Sequence, residues 1–550
     1  CALYLTSEDV STYRRLKSAV RATYQGDAAT INPISVLDLP SSWTMPVPNL
    51  PANKQKINTN FSTLMSFDRA IDNSAGTLWN SGEISLIAGL PQRELPGLRR
   101  RKCVSFAIDL PKGTREDALT LGPVIDFGRR FPIHQATLER KDLNKHIFIT
   151  GVTGAGKTTT CLKLLKEARL PFLVLEPAKT EYRALVKDYP GDISFYRPNG
   201  DPAQSLRINP FALIRKGQHI KSHASFLKNV FATIFPLEAS MPQMVEAAIL
   251  ESYKEKGWDI SFDEWLDEGD PFDPKSQAWP TMSDMIRQLD RIIPTYNLGR
   301  EFEEKYRGSL VSRLRGLVDG TLGDLLDVHQ SIDWHDLLRR NVVIELEELQ
   351  SGEDKALLMA LILGAINEAI RDLHREDRTF RHLTLVEEAH RLLSKPEPGD
   401  SARAMAVEAF ADMLAEVRKY GEGLIIADQI PAKLIPDVIK NTHTKIVHRL
   451  FAEDDRRTMA EAMMMDQDQR DFLPNLKTGE VIVFCGGWHG PAHVAIDSGK
   501  LRTDGEPLID DSLYRIFQEQ LWRSRYRYYP TLCILVEGEK SISLDSSTFA

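Results

Sequence analysis

Residues 151–158 read Gly-Val-Thr-Gly-Ala-Gly-Lys-Thr and satisfy G-x-x-x-x-G-K-[ST] at every fixed position. The apolar stretch His146-Ile147-Phe148-Ile149-Thr150 precedes this turn, and a helical pattern over 156–168 follows it. A strand, a glycine-rich turn and a helix in that order leave little choice of local fold. The glycines let backbone N–H groups wrap phosphate oxygens without side-chain clash, and the helix N-terminus adds its positive dipole end. The spacing predicts a cradle from Gly151, Thr153, Gly154, Ala155 and Gly156, with Thr159 in the first helical turn. Lys157 supplies a point charge to the β- and γ-phosphates and Thr158 a hydroxyl ligand to Mg2+, so ATP and Mg2+ are the expected ligands.

The surrounding pattern is strand, turn and helix, repeated. Phe172–Leu175, Asn341–Leu346, Leu383–Val386, Gly423–Ala427 and Lys445–Val447 are short apolar runs with helical patterns between most of them. Such alternation predicts an α/β fold with a mostly parallel sheet covered by helices. Between 215 and 340 the strand signal disappears, and an inserted helical subdomain with an acidic face (Glu264, Asp267, Glu268, Asp270) is expected there. The core is therefore expected over 146–214 and 341–500. Ahead of it lie a partial α+β segment (1–44), a proline-rich linker (45–60) and an α+β module (61–145), in which Val104–Asp109 pairs with Gly122–Gly128. Residues 501–550 form a C-terminal extension.

The second half of a nucleotide site is expected at Leu383-Thr384-Leu385-Val386-Glu387-Glu388, an apolar strand that delivers two acids at its end. Glu387 is assigned to hydrated Mg2+ and Glu388 to the attacking water as general base. Two glutamates at a strand end are also what a solvated turn carries, and the phosphate loop upstream favours the functional reading. The two halves are 387 − 157 = 230 positions apart, and the helical insertion accounts for the excess length. Gly423–Ala427 ends in Asp428-Gln429, whose amide is placed to sense the γ-phosphate or, more plainly, to cap the next helix. Arg418 and Lys419 close a helix, where cations are favoured anyway, and Arg418 is alternatively an arginine finger for a neighbouring subunit. Arg313, Arg315 and Arg449 are weaker candidates for that task.

Composition narrows the class. The longest apolar run, Ala356–Ile366, has eleven residues, whereas about 20 are needed to cross a bilayer. With 69 Lys and Arg against 77 Asp and Glu the net charge is −8, which neither advertises nor forbids nucleic-acid binding. Five cysteines without paired spacing predict reduced thiols, no zinc site and a cytoplasmic protein. The chain starts at Cys1 with no signal peptide, which predicts numbering that begins inside a longer polypeptide. Arg99–Lys102, the cation–aromatic run Trp522–Tyr529, and a pore loop over Leu393–Met405 with Lys395 and Arg403 are candidate DNA contacts, and each is equally a solvated face or subunit contact.

Together His146–Thr158, Glu176-Pro177-Ala178-Lys179-Thr180-Glu181-Tyr182-Arg183, Glu387-Glu388-Ala389-His390, Arg418-Lys419-Tyr420-Gly421 and Gln429 resemble the HerA-type DNA translocases of the HerA–FtsK superfamily over residues 90–500. The resemblance implies RecA-like ATPase domains in a homohexamer around DNA, with sites at subunit borders. It implies Arg418 as a finger acting in trans, and roles near the site for Glu176 and Glu181. It also implies work beside a separate nuclease or other effector, in DNA end processing or antiviral defence. Glu387 stands where the family often has Asp, and no β-barrel is legible before Gly122. Ser85–Pro91 and Leu95–Leu98 are instead similar to the region preceding the ATPase domain of conjugation and secretion motors. The substrate is thus left open between duplex DNA, single-stranded DNA and protein. A nucleotide-dependent assembly scaffold is a third alternative.

Overall fold

The computed structural model describes residues 9–25, 104–111, 117–189, 192–198, 206–235, 237, 240–320, 322–397 and 401–497. The proline-rich linker, Arg99–Lys102, the conjugation-like stretch at 85–98, Trp522–Tyr529 and the C-terminal extension lie outside the described residues. Helix α1 (Val10–Gln25) belongs to a unit of its own, and its first turn is capped by the Asp9 carboxylate, which accepts from Thr12 N at 2.7 Å.

Everything else is organised by one eleven-stranded sheet. Its strands are β1 (Ala118–Asp126), β2 (Arg129–Glu139), β3 (Ile147–Thr150), β4 (Phe172–Glu176), β5 (Ile193–Tyr196), β8 (Asn341–Glu345), β9 (His382–Glu387), β10 (Glu422–Asp428), β11 (Thr444–Val447), β12 (Glu480–Cys485) and β13 (Ala492–Ala495). A two-residue pair, β6 (Trp258–Asp259) and β7 (Glu264–Trp265), stands apart. The order in the large sheet is β2-β1-β13-β12-β11-β3-β10-β9-β4-β8-β5. The seven strands from β11 to β5 are parallel, and the remaining four continue the sheet antiparallel.

The parallel strands are apolar throughout because helices cover both faces. Alternation decides the facing: Ile147, Ile149, Phe172, Val174, Leu383 and Leu385 enter one core, and Phe148, Leu173, Leu175, Leu424 and Ile426 the other. Helix α2 (Lys157–Ala168) fills the first. The second holds α6 (Gly352–Glu376), α7 (Ser401–Glu416) and the helices of the insertion, among them α3 (Ile220–Ile234), α4 (Met241–Glu255) and α5 (Met282–Ile292). The apolar run Ala356–Ile366 lies within α6, which explains its all-round apolarity.

Four expectations are corrected. Val104–Asp109 is not a strand; β1 pairs with β2 and β13, and Ala107 N instead reaches Pro491 O at 2.9 Å. Residues 118–139 therefore belong to the same sheet as the phosphate-loop strand. The acidic residues of the insertion are not a helix face, because Glu264 lies in β7 and 267–270 in the bend after it. Part of the stretch read as a pore loop is helical among the described residues: His390–Leu393 is a helical turn and Arg403 sits on α7.

Candidate active site

The phosphate loop is held from below by main chain. Val152 N donates to Arg449 O at 3.0 Å and Gly479 N donates to Ala155 O at 3.2 Å. Under the loop, His448 is fully buried, and burial pushes its pKa down to about 3, so the ring is neutral. Its Nδ1 lies 3.0 Å from Ala155 O, which can only accept, so the proton is assigned to Nδ1 and the 3.0 Å contact at Nε2 is with the Thr160 hydroxyl. Lys157 opens α2, and its Nζ donates across the loop to Gly151 O (2.6 Å) and Val152 O (3.2 Å). Burial lowers the Lys157 pKa, and the charge of Glu387 opposes that effect.

Parallel register then aligns a row of acids at the C-terminal ends of neighbouring strands. Glu176 pairs in register with Glu345, stands beside Glu387 through the Leu175–Val386 pairing, and Asp428 follows the residue paired with Glu387. Each acid is handled differently. Glu345 takes both arms of Arg183 (2.7 and 2.7 Å) and Arg197 Nε (2.8 Å). Asp428 is buried and accepts from His390 N at 2.8 Å, with His390 Nδ1 3.0 Å away. Glu387 accepts from the buried Tyr182 hydroxyl at 2.7 Å, and burial raises its pKa. Glu176 is fully buried and accepts from Glu181 N at 2.7 Å; burial, and then the charge of Glu387, push its pKa well above the usual carboxylate range.

These halves meet. Glu387 acts electrostatically on Lys157, and the Thr153 hydroxyl at the lip of the loop donates to Gln429 Oε1 at 3.0 Å. That contact exists because β10 lies between β9 and β3, so its end overhangs the loop. Thr158 hydrogen-bonds Glu181, which also takes Lys179 Nζ at 2.7 Å; burial opposes ionisation of Glu181 and these two bonds outweigh it. Glu388 leaves β9 at φ +51 and engages Arg391.

Arg418 is not part of this cluster. It is exposed and lies beside His146, whose pKa burial lowers to about 4 with the Arg418 charge adding to the effect. His146 precedes β3 at the edge opposite the phosphate loop. Seven residues of β10 at about 3.3 Å each put Arg418 about 20 Å from its own loop. Arg449 supports the loop of its own chain, and the Arg313 guanidinium rests over Phe235, 5.9 Å from its centroid. Tyr182, Glu345, Arg197, Arg391 and His448 were not assigned from sequence. The signal for Tyr182 was its place in the motif 176–183; His448 follows an apolar strand and carries no motif at all.

The donor set suits a magnesium triphosphate: left-handed backbone at three glycines, a half-buried ammonium at Lys157, a hydroxyl at Thr158 and a carboxylate at Glu387. Among the described residues no group of three or more His, Cys, Asp or Glu side chains forms a ready-made metal cage.

No family model matches the chain. Over 217 residues it is 26% identical to the DNA double-strand break repair helicase HerA of Sulfolobus acidocaldarius, a match covering 38% of this chain and 41% of that protein. A relative in Methanocaldococcus jannaschii named "Probable helicase MJECL08" is 22% identical over 376 residues, 65% of this chain and 67% of its own. The chain thus spans about two fifths of the first of these relatives. Among solved structures, VirB4 of Thermoanaerobacter pseudethanolicus superposes with a TM-score of 0.52 at 20% identity, covering 70% of this chain and 98% of that one. The likeness to HerA-type ATPases of the HerA–FtsK superfamily therefore holds, and the fold is that of a RecA-like P-loop ATPase.

Proposed function

We propose that the protein hydrolyses ATP to move DNA. The observation that carries this reading is the meeting of Lys157 with Glu387 and of Thr153 with Gln429, from segments far apart in sequence, at the C-terminal ends of neighbouring strands. Gly151–Gly156 wrap the phosphates, and Lys157 lies against the β- and γ-phosphates. Thr158 and Glu387 hold Mg2+, which when bound neutralises charge on the phosphate oxygens. Glu388 takes a proton from water as the water oxygen bonds to the γ-phosphorus and the bond to the β-phosphate bridging oxygen breaks. Gln429, bonded to Thr153, registers loss of the γ-phosphate.

Arg418, about 20 Å from its own loop across β10, serves the site of a neighbouring subunit. The homohexamer with sites at its borders and DNA in the channel is what the resemblance to HerA-type translocases implies, and a finger acting in trans is compatible with it. Its working place is the cytoplasm, where it acts with a separate nuclease or other effector in DNA end processing or antiviral defence. The HerA relatives support the DNA assignment. Among the described residues no helix is long and apolar enough to cross a membrane. A conjugation- or secretion-type motor is the second reading, favoured by the extent of the VirB4 superposition.

The test is steady-state ATP hydrolysis with and without duplex DNA, by wild type and Glu388→Gln. DNA should stimulate the wild type, steeply less so as salt rises, and the variant should lose about 10²–10⁴-fold in turnover while still binding nucleotide. A wild type that hydrolyses ATP at a rate no DNA alters would support the secretion-type motor. A Glu388→Gln protein with full biological activity would remove the motor altogether and leave the nucleotide-dependent scaffold.

A further inference from the structure

Glu388, assigned above to the attacking water, is already engaged. Its Oε2 accepts from Arg391 Nε at 2.7 Å and lies 2.5 Å from Arg391 Nη2. Arg391 N also donates to Glu388 O at 3.0 Å, closing the turn between them. The Glu388 and Arg391 side chains are 16% and 25% exposed, so the pair is better shielded than an open surface ion pair. The backbone of Glu388 is held at φ +51, a conformation that a glutamate keeps only where its surroundings impose it.

The electrostatics divide in the same way. Glu387, Lys179 and Asp428 act on Lys157, whereas Glu388 acts together with Arg391 on Lys355. Lys355 is tied to Pro177 O at 2.6 Å, and Lys395, four residues beyond Arg391, reaches Ala432 O at 2.7 Å. Two adjacent strand-end acids thus point to different tasks: Glu387 toward the phosphate loop, and Glu388 toward Arg391 and Lys355. With one oxygen gripped by two donors, the Glu388 carboxylate is anchored to that group. Only Oε1 is left for a water, and the grip on Oε2 fixes where it points.

We propose that Arg391 is a positioning residue that holds the general base in an idle orientation, and that a phosphodiester of the transported nucleic acid draws it away. The inference rests on the reading of Glu388 as base and DNA as track. A guanidinium grips two phosphate oxygens as it grips a carboxylate, so the Arg391 charge stays paired throughout the exchange while the Glu388 carboxylate is released toward water. Lys355, which is near enough to feel both partners, adds a second cation for the incoming phosphate. The exchange makes hydrolysis conditional on an occupied track, so that ATP is not consumed idly.

The experiment measures kcat and KM for ATP of the full chain with and without a linear DNA duplex, for wild type, Arg391→Ala, Arg391→Lys and the double variant Arg391→Ala/Glu388→Gln. Arg391→Ala should raise the DNA-free kcat about 5–10-fold with KM nearly unchanged, and DNA should then add little. Arg391→Lys, which keeps the charge but loses the two-donor grip, should fall between, and it carries the test if the alanine variant does not fold. The double variant should be inactive, since the release works through Glu388. A DNA-free rate in both single variants at or below that of wild type, with stimulation intact, overturns the inference and leaves the proposed function standing. A wild type that never hydrolyses ATP overturns the proposed function itself. Stimulation by poly-glutamate but not by DNA overturns the assignment of the displacing anion to nucleic acid.

Discussion

The two halves of the candidate site are made of different material. The phosphate loop is backbone held by backbone: Val152 on Arg449, Ala155 beneath Gly479, and a neutral imidazole wedged below. The carboxylate edge is side chain held by side chain: Glu387 on Tyr182, Glu345 on two arginines, Asp428 on His390, Glu388 on Arg391. A backbone cradle tolerates almost no change of residue type at its contact points but asks little of distant side chains. An edge of four buried or half-buried acids exists only because each has its own partner, drawn from another element.

The largest test of this contrast is Lys157, the charged side chain of the loop half. Lys157→Ala leaves the backbone cradle in place, yet ATP turnover should fall about 10²–10³-fold. A loss under tenfold in a steady-state assay would mean that the cradle alone supplies the electrostatics, and the division between the halves would be sharper still.

Next in size is a pair of glycines in the same loop. A Cβ on Gly151, at φ +155, would lie 2.5 Å from the His448 Cβ; one on Gly154, at φ +74, would meet nothing within 4 Å. Gly151→Ala should cost about 1–3 kcal/mol of overpacking beyond backbone strain. Gly154→Ala should cost only the strain, about 1–2 kcal/mol. Thermal unfolding of the two variants compares them directly, and a lower midpoint for Gly154→Ala would show that the loop is not seated on His448.

The same contrast explains what could be read in advance. Gly151–Thr158 was legible because its function is written in consecutive backbone requirements, and β3, β4, β8, β9, β10 and β11 were legible because strands buried on both faces are apolar throughout. Glu387 was legible because the acid ends such a strand. Its partner was not assigned: Tyr182 comes from another element, and no local pattern says which buried tyrosine will aim at which carboxylate. His448 and the Arg197–Glu345 pair are equally products of register. The misreading of Val104–Asp109 has a related cause, since period-two alternation reports an extended chain with one covered face, and Ala107 satisfies that beside Pro491 without joining the ladder.

On the carboxylate side, Tyr182→Phe removes one hydroxyl and leaves a buried acceptor on Glu387 unpaired, a loss of about 1–3 kcal/mol. If Glu387 holds the metal, the variant should need about tenfold more Mg2+ for half-maximal ATP hydrolysis, with KM for ATP at saturating Mg2+ changing little. Unchanged Mg2+ dependence with lowered thermal stability would make Tyr182 a packing residue and the edge less interdependent than described.

The smallest expected effect probes Glu176, whose hydrogen bond is to a backbone N–H and not to a side chain. Glu176 faces Glu387 and Glu345, it is buried, and its folded pKa is raised, so the folded protein binds a proton there that the unfolded chain gives up at an ordinary carboxylate value near 4.3. The sign follows: with more protons bound in the folded state, stability declines as pH rises above that value, by at most about 1.4 kcal/mol per pH unit for the one group. Glu176→Gln keeps the oxygen that accepts from Glu181 N and removes the titration. Chemical unfolding from pH 5 to 8 should therefore show a flatter stability profile in the variant, with the variant gaining on wild type toward the alkaline end. Parallel profiles would mean that Glu176 is ionised when folded and that the Lys157 and Lys179 charges reach farther along the edge than their nearest carboxylates.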